Sequence, residues 1–180
     1  RWEHNWNARF KWESAAEIRR MADNRVDSYT TKTGAPNDYD SPTGVATERS
    51  ITRYYDGSKT RIERLLRDGT LEIYKERDTS NPYTNWYFLS EVQHRDSANT
   101  ITVAFDSVHR PVTITDIRGQ EFHLDYTDAG RLTSFDSNGR TWTLSYTSDD
   151  LTGVTAPGSR TTTFTYTGSH LLESIKAPRE

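Results

Sequence analysis

The chain of 180 residues contains no cysteine and only one methionine. Without cysteine it can form neither a disulfide nor a thiolate metal site. No stretch approaches the roughly 18 apolar residues of a membrane helix, and no Asn-x-Ser/Thr sequon occurs, which disfavours a eukaryotic secreted source. Its 23 basic and 26 acidic residues are mixed along the chain, so no basic block indicates nucleic acid. We therefore expect neither a membrane span nor a nucleic-acid partner.

Aliphatic residues are also scarce, whereas aromatic residues are abundant. Hydrophobic residues make up 32% of the chain, and the mean hydropathy is −0.90. Aromatic residues nevertheless reach 12%, with ten tyrosines and five tryptophans, and disordered chains are poor in aromatics. Strands with one solvent-exposed face and one aromatic face would produce this composition. It therefore favours a thin sheet over a thick globular domain.

Motifs of enzymes and metal sites are missing too. No Gly-x-Ser-x-Gly, phosphate loop or dinucleotide-binding glycine pattern occurs, and no two histidines have the spacing of metal ligands on one helix face. We predict no catalytic, cofactor-binding or metal-binding residue, and no enzyme. The histidines, which we expect at solvated positions, are His4, His94, His109, His123 and His170. Four aspartates recur near turns, where they are expected to bond backbone amides instead of calcium: Asp56, Asp106, Asp128 and Asp136.

The sequence contains a unit that is repeated about four times between residues 101 and 178. Its aromatic anchors lie 21, 20 and 20 positions apart, and a second column of apolar residues is spaced 21, 19 and 21. Two columns with the same period indicate tandem repeats. The anchors are Phe105, Tyr126, Tyr146 and Tyr166, and the second column is Ile114, Phe135, Val154 and Ile175.

Each repeat predicts a β-hairpin. Apolar residues alternate with polar ones, as in Trp142-x-Leu144-x-Tyr146, which places one face of a strand against a core. Turn signals follow at Ala129-Gly130, Asn138-Gly139 and Pro157-Gly158. A single hairpin cannot bury its apolar face, whereas stacked hairpins can. The predicted fold is all-β: tandem antiparallel hairpins with a period of about 20 residues, forming a curved or spiralling sheet, with the four repeats over 101–180.

Residues 1–100 predict strands that precede the repeats. Asp56-Gly57 and Asp68-Gly69 are hairpin signals between Ser50–Tyr55, Arg61–Arg67 and Thr70–Lys75, and Trp86–His94 reads as a further strand. For residues 14–31 we favour a hairpin of Glu17–Met21 and Arg25–Thr31 that turns at Asp23-Asn24. The alternative is a helix over 14–22, because Ser14 and Glu17 have capping-box spacing. Clusters of Gly, Pro, Asn and Asp predict loops over 32–47 and 77–85.

Two segments resemble a known repeat. Tyr126-Thr-Asp-Ala-Gly-Arg-Leu-Thr133 and Phe105-Asp-Ser-Val-His-Arg-Pro-Val112 resemble the tyrosine–aspartate repeat of the Rhs/YD-repeat family. The other copies depart from it, since Ser148-Asp149-Asp150-Leu151 and Gly168-Ser169-His170-Leu171 stand where Gly-Arg-Leu would be. Trp2 to Phe10 resembles the entry strand of such proteins. Because the chain begins inside that motif, we expect it to be a fragment of a longer polypeptide.

The resemblance implies a non-catalytic role. In this family a strip of repeats spirals into a hollow cocoon that can enclose a C-terminal toxin, so the expected partners are neighbouring strands of the same longer chain or other copies, and an enclosed cargo. The expected location is secreted or on the bacterial cell surface. An alternative is an adhesin or filament module that binds glycan or protein through its aromatic strands. The rings least committed to a core are Trp2, Trp12, Tyr83 and Trp86.

Overall fold

The computed structural model describes residues 8–14, 17–22, 25–42, 48–56, 59–76, 86–95 and 99–178. These residues form strands and turns without a helix, and the strand pairs are antiparallel, which confirms the all-β prediction. The strands are β1 (Arg9–Ser14), β2 (Glu17–Ala22), β3 (Arg25–Lys32), β4 (Ala35–Asp40), β5 (Glu48–Asp56), β6 (Lys59–Leu66), β7 (Leu71–Glu76), β8 (Trp86–Gln93), β9 (Thr100–Phe105), β10 (Pro111–Thr115), β11 (Glu121–Tyr126), β12 (Leu132–Ser137), β13 (Arg140–Thr147), β14 (Asp150–Ala156), β15 (Arg160–Tyr166) and β16 (Leu172–Lys176).

The chain divides into two compact units, residues 1–104 and 105–180. In the first unit each strand pairs with the next one along the chain, and β1 also pairs with β8. That extra pairing joins Arg9 to Phe88, Phe10 to Tyr87 and Lys11 to Trp86. The first eight strands therefore form a closed ring, which removes the open edges that a strip of the same strands would have.

Strand β8 is the point at which the ring closes and the sheet continues. One edge of β8 pairs with β7 from Tyr87 to Gln93. Its other edge is shared, because residues 86–88 pair with β1 whereas residues 91–93 pair with β9. The same edge of β8 therefore pairs with both the first strand of the ring and the strand that follows β8.

The interior of the ring is packed with side chains. Eight large side chains less than about 2% exposed fill it, one from each of the eight strands: Phe10, Ile18, Tyr29, Tyr39, Ile51, Ile62, Tyr74 and Tyr87. The Phe10 ring lies 4.7 Å from the Tyr74 ring in an edge-on arrangement and 5.8 Å from that of Tyr29. Interdigitated aromatic rings of this kind fill a small barrel completely, so the described part of the first unit encloses a solid core.

The second unit is a meander of seven strands, β10 to β16, in chain order. Each repeat contributes a strand that ends at its anchor residue or one residue beyond it, and a second strand that carries the second-column residue, as the periodicity predicts. A register shift recurs at Tyr126, Tyr146 and Tyr166. Such bulges bend a strand locally and increase its twist, so the same irregularity recurs with the repeat.

Most boundaries in the first hundred residues agree with expectation, and one loop does not. Glu17–Ala22 and Arg25–Lys32 form the antiparallel strands β2 and β3, so the helix alternative over 14–22 is wrong. Within the predicted loop 32–47, Ala35–Asp40 forms strand β4, which pairs with β3 and β5. Buried Tyr39 outweighs the flanking Gly and Pro signals because it completes the ring interior. The predicted loop 77–85 and the turn at Asp23-Asn24 lie outside the described residues.

Candidate interaction surface of the repeats

Turns of one kind connect strands in the second unit. In each, the first residue donates its backbone N–H to the carbonyl of the fifth, and the fourth donates to the carbonyl of the first. The fourth residue has a positive φ, at His109, Gly119, Gly130 and His170. Glycine reaches that conformation without strain, whereas histidine occupies it at a cost. The turns with this pattern span residues 106–110, 116–120, 127–131 and 167–171.

The first residue of these turns also closes them with its side chain. Asp106 Oδ1 accepts hydrogen bonds from the backbone N–H groups of Val108 and Arg110, at 3.0 and 2.8 Å, and Oδ2 accepts one from Arg110 Nε at 2.7 Å. Burial opposes the charged form, but these bonds outweigh it and lower the pKa of Asp106. The prediction that recurrent aspartates bond turn amides is therefore confirmed at Asp106.

The other predicted aspartates differ from Asp106. Asp128 is the exposed second residue of its turn. That turn is closed instead by Thr127, whose hydroxyl oxygen accepts a hydrogen bond from Arg131 N. Asp136 lies within β12, and the side chain of Asp56 lies outside the described residues. Sequence reasoning missed Asp116, whose Oδ1 accepts from Arg118 N and Gln120 N, both at 2.8 Å. An Asp or Thr placed three residues before a Gly or His would have identified all four turns.

Arginines tie each repeat to the following one. Arg110 donates from Nη1 to the carbonyl of Thr127 at 2.8 Å, and its guanidinium lies 5.0 Å from the centre of the Tyr126 ring. One repeat later, Arg131 bonds the Ser148 carbonyl and the Asp149 carboxylate, with its guanidinium 5.8 Å from the Tyr146 ring. Each arginine thus combines a hydrogen bond to the next turn with a cation–π contact to the next anchor.

The third link uses different chemistry at the same place. Here His170 of the next turn contacts Asp150, and the distance from His170 Nδ1 to Asp150 Oδ2 is 2.9 Å. That carboxylate raises the pKa of His170. Two links therefore rely on permanently charged arginines, and the third relies on a histidine, whose charge depends on pH.

Anchor tyrosines form a second set of links. The Tyr146 hydroxyl donates to the carbonyl of Leu132, and the Tyr166 hydroxyl donates to the carbonyl of Leu151, both at 2.9 Å. Each acceptor is the residue that pairs with the preceding anchor, since Leu132 pairs with Tyr126 and Leu151 with Tyr146. Each of these two tyrosines therefore donates a hydrogen bond to the preceding repeat. The Tyr126 hydroxyl has no partner among the described residues, and burial raises its pKa to about 12.

The apolar residues of the second unit share one face of the sheet, which we call the repeat face. Registers such as Leu124 opposite Phe135, and Leu144 opposite Val154, place these side chains together. The opposite face carries Thr, Ser, Asp and His123, which points away from Phe122 and Leu124 as predicted. The repeat face comprises Ile114, Phe122, Leu124, Tyr126, Phe135, Trp142, Leu144, Tyr146, Val154, Phe164, Tyr166 and Ile175.

The repeat face forms a single layer. Within residues 105–178, all of them described, Pro111 and Ile114 are the two buried residues with apolar side chains. Phe122 is 38% exposed, and the stacked pair of Phe135 and Trp142, with centres 5.0 Å apart, is only half-buried. A contiguous apolar surface of this kind indicates a contact site.

A charged cluster lies within the ring of the first unit. Glu48 Oε1 accepts bonds from Arg64 Nη2 at 2.7 Å and from the Tyr29 hydroxyl at 3.0 Å, while Arg64 Nη1 bonds Glu72 at 2.9 Å. The Glu48 side chain is 0% exposed. Burial opposes its charge, but Arg64 lowers its pKa below the ordinary value, and burial beside Glu48 raises the pKa of Tyr29. Removing one partner of a salt bridge buried this deeply would leave an uncompensated charge in the ring.

The tryptophans expected to offer open rings are covered on one face. Trp12 packs against the core of the ring, with the Arg53 guanidinium 4.3 Å from its centre. The Arg9 guanidinium lies 5.1 Å from the centre of the Trp86 ring, and Lys11 Nζ lies 5.9 Å from it. The other two candidates, Trp2 and Tyr83, lie outside the described residues. The larger aromatic surface is therefore the repeat face, which the sequence analysis assigns to a core.

The described residues hold no cluster of three or more His, Asp or Glu that could bind a metal ion. Among them there is also no helix with the length and apolar character needed to cross a membrane.

Comparisons with known proteins find matches among solved structures. No protein-family model matches the sequence, and no curated protein matches it. The crystal structure of TcdB2-TccC3-Cdc42 is similar, with 16% sequence identity and a TM-score of 0.46. The match covers 86% of this chain and 9% of that chain, so the chain spans about a tenth of the length of the protein it matches.

Proposed function

We propose that the chain is a non-catalytic, structural segment of an Rhs/YD-repeat β-shell that encapsulates or presents a C-terminal, toxin-like cargo. The observation that carries the proposal is the set of links between successive hairpins. Equivalent positions in successive repeats bond the next turn through Arg110 and Arg131, and the carbonyl of the preceding repeat through Tyr146 and Tyr166. Links that repeat with the hairpins can extend a sheet indefinitely, which suits a wall.

The repeat face suits the inner side of such a wall. An enclosed cargo that is not folded exposes apolar side chains. Half-exposed rings such as Phe135 and Trp142 can contact these side chains without a fixed geometry. The opposite face, rich in Thr and Ser, suits water. On this proposal the partners are neighbouring strands of the same longer chain or other copies, together with the cargo, and the location is secreted or on a bacterial surface.

The test uses the natural polypeptide that carries this chain. The intact mass of a denatured sample should lie far above 20.7 kDa, and a segment C-terminal to the repeats should resist protease in the native protein but not after unfolding. A mass near that of the chain, or equal digestion of the C-terminal segment in both states, would refute the shell.

A second candidate is an adhesin module that binds glycan through the repeat face. The stacked Phe135 and Trp142 rings favour it, because flat aromatic surfaces stack on sugar rings. Acrylamide quenching and glycan binding of a Trp142→Ala variant separate the two candidates. Loss of glycan binding in that variant supports the adhesin, whereas an absence of glycan binding by the unaltered chain removes it.

A further inference from the structure

The interior of the ring holds buried hydrogen-bond donors without acceptors. The indole Nε1 of Trp12, the guanidinium Nε of Arg53 and the hydroxyl of Tyr39 are shielded from solvent, and none forms a hydrogen bond among the described residues. Tyr39 as a whole is 2% exposed. Folded proteins pair nearly all such groups with other protein groups, ordered water or an ion, because an unpaired buried donor is costly.

The three donors belong to neighbouring side chains. Tyr39 pairs with Ile51 between β4 and β5, and Arg53 lies two positions after Ile51, so Tyr39 and Arg53 project into the ring. The Arg53 guanidinium lies 4.3 Å from the centre of the Trp12 ring, which reaches it from β1. Burial raises the pKa of Tyr39, and the Arg53 guanidinium opposes that rise. All three unpaired donors therefore lie on Arg53 or on a side chain beside it.

A second cluster in the same ring shows what such donors bind. Arg64 Nη2 and the Tyr29 hydroxyl donate to one carboxylate oxygen of Glu48, at 2.7 and 3.0 Å. Arg53 and Tyr39 repeat that combination of a guanidinium and a phenol, but among the described residues Arg53 forms no ion pair. A water molecule could accept from these donors, but it would leave the guanidinium charge unbalanced, whereas an anion supplies both.

We propose that Arg53, Tyr39 and Trp12 form a binding site for a carboxylate group, whose oxygens accept from the guanidinium, the phenol and the indole. A carboxylate fits this set because it accepts hydrogen bonds at both oxygens and balances one positive charge. Two sources share this chemistry, a free small carboxylate and the acidic side chain of a peptide. The site lies in the first unit and goes beyond the proposed shell function, on which it does not depend.

NMR of the isotope-labelled chain observes the site at its own donors. The Trp12 indole N–H and the Arg53 Nε–H each give a resonance, which is assigned by its loss in Trp12→Phe or Arg53→Gln. Sodium acetate is titrated at neutral pH and constant ionic strength to about 100 mM, because so small a ligand binds weakly. We expect both resonances to shift saturably with acetate and not with sodium chloride. N-acetylglutamate amide tests the side-chain source, with the glutamine derivative as its control.

Matched variants connect the shift to these residues. Arg53→Gln, followed at the Trp12 resonance, should bind acetate at least about tenfold more weakly, because the balancing charge is gone. Arg61→Gln is the control, since the Arg61 guanidinium also lies 4.8 Å from a tyrosine ring, that of Tyr54, but both side chains are exposed. Tyr39→Phe should bind about fivefold more weakly, the effect of one hydrogen bond. Acetate should raise the urea midpoint of the unaltered chain and of Arg61→Gln, but not of Arg53→Gln.

The contrary outcomes are distinct. No saturable shift with acetate or the glutamate derivative overturns the proposal, whether water or a carboxylate of this chain then bonds the donors. Equal shifts with chloride, or equal affinities of Arg53→Gln and Arg61→Gln, overturn it as well. Saturation by acetate alone supports a free small carboxylate, and saturation by the glutamate derivative supports a side chain. None of these results depends on a cargo, so each leaves the mass and protease test of the shell intact.

Discussion

Single side chains hold the turns of the repeats closed, and Asp106 does so with the most bonds. It accepts two backbone amides and one guanidinium N–H. Because hydrogen bonds to a charged group are stronger than neutral ones, Asp106→Ala should lower the free energy of unfolding by about 1–3 kcal/mol. Urea denaturation followed by circular dichroism measures the change. Asp128→Ala is the control, since Asp128 lies exposed in another turn of the same kind, residues 127–131, and an equal loss in both variants would contradict the closing role.

The buried charges of the ring predict how stability responds to acid. The folded pKa of Glu48 lies below its reference value of 4.5 because Arg64 outweighs burial. Its contribution is therefore present above that pH and is lost as the pH falls through the folded pKa. Glu48→Gln should lower the free energy of unfolding by about 3 kcal/mol at pH 7.

Urea titrations at several pH values test this acid response. The difference between the unaltered chain and Glu48→Gln should shrink below pH 4.5. Glu173→Gln, at an exposed position on β16, serves as the control and should differ little at any pH. A constant difference down to acidic pH would show that the Glu48 charge does not carry the effect.

At the scale of the element, the tight turn between β12 and β13 depends on backbone conformation. Asn138 and Gly139 have φ values of 51° and 71°, as a two-residue hairpin turn requires. A Cβ at Gly139 would meet no atom within 4 Å, so only the backbone penalises a side chain there. Gly139→Ala should lower the free energy of unfolding by about 1–2 kcal/mol.

Gly168 provides the matched substitution for that turn. It also has open space around it, but its φ is not positive. Gly168→Ala should therefore be neutral or slightly stabilising, because alanine reduces the freedom of the unfolded chain. Thermal unfolding of the two variants makes the comparison, and equal midpoints would rule out the conformational argument.

The whole first unit depends on closure of its ring around a solid core. Phe10 lies on β1, the strand that meets β8, and its 0% exposed ring packs against Tyr29 and Tyr74. Phe10→Ala should cost about 3–5 kcal/mol, because it leaves a cavity where no neighbour can collapse easily. Val26→Ala, at an exposed position, should stay within about 0.5 kcal/mol. Guanidinium denaturation compares the two, and a small effect at Phe10 would argue against a packed interior.

The sequence by itself determined the repeats and their strands. Alternation and period are local properties, so Tyr126, Tyr146 and Tyr166 could be placed at strand ends, and the turns at Gly130 and Gly139 could be predicted from residue chemistry alone. The closing role of Asp106 followed from the same local reasoning. Local signals failed at Ala35–Asp40, where turn-forming residues surround a strand.

Tertiary structure decided which faces are covered. Pairing of β1 with β8 joins residues more than 70 positions apart, and no local pattern encodes such a contact, so the solid ring and its cluster of Glu48, Arg64 and Glu72 emerged only from the fold. The same limit explains the repeat face. Alternation marks a side chain as apolar, but whether a second layer covers it depends on what the rest of the sheet meets. Phe10 and Phe122 read alike in sequence, yet one lies inside a closed ring and the other on an open single layer.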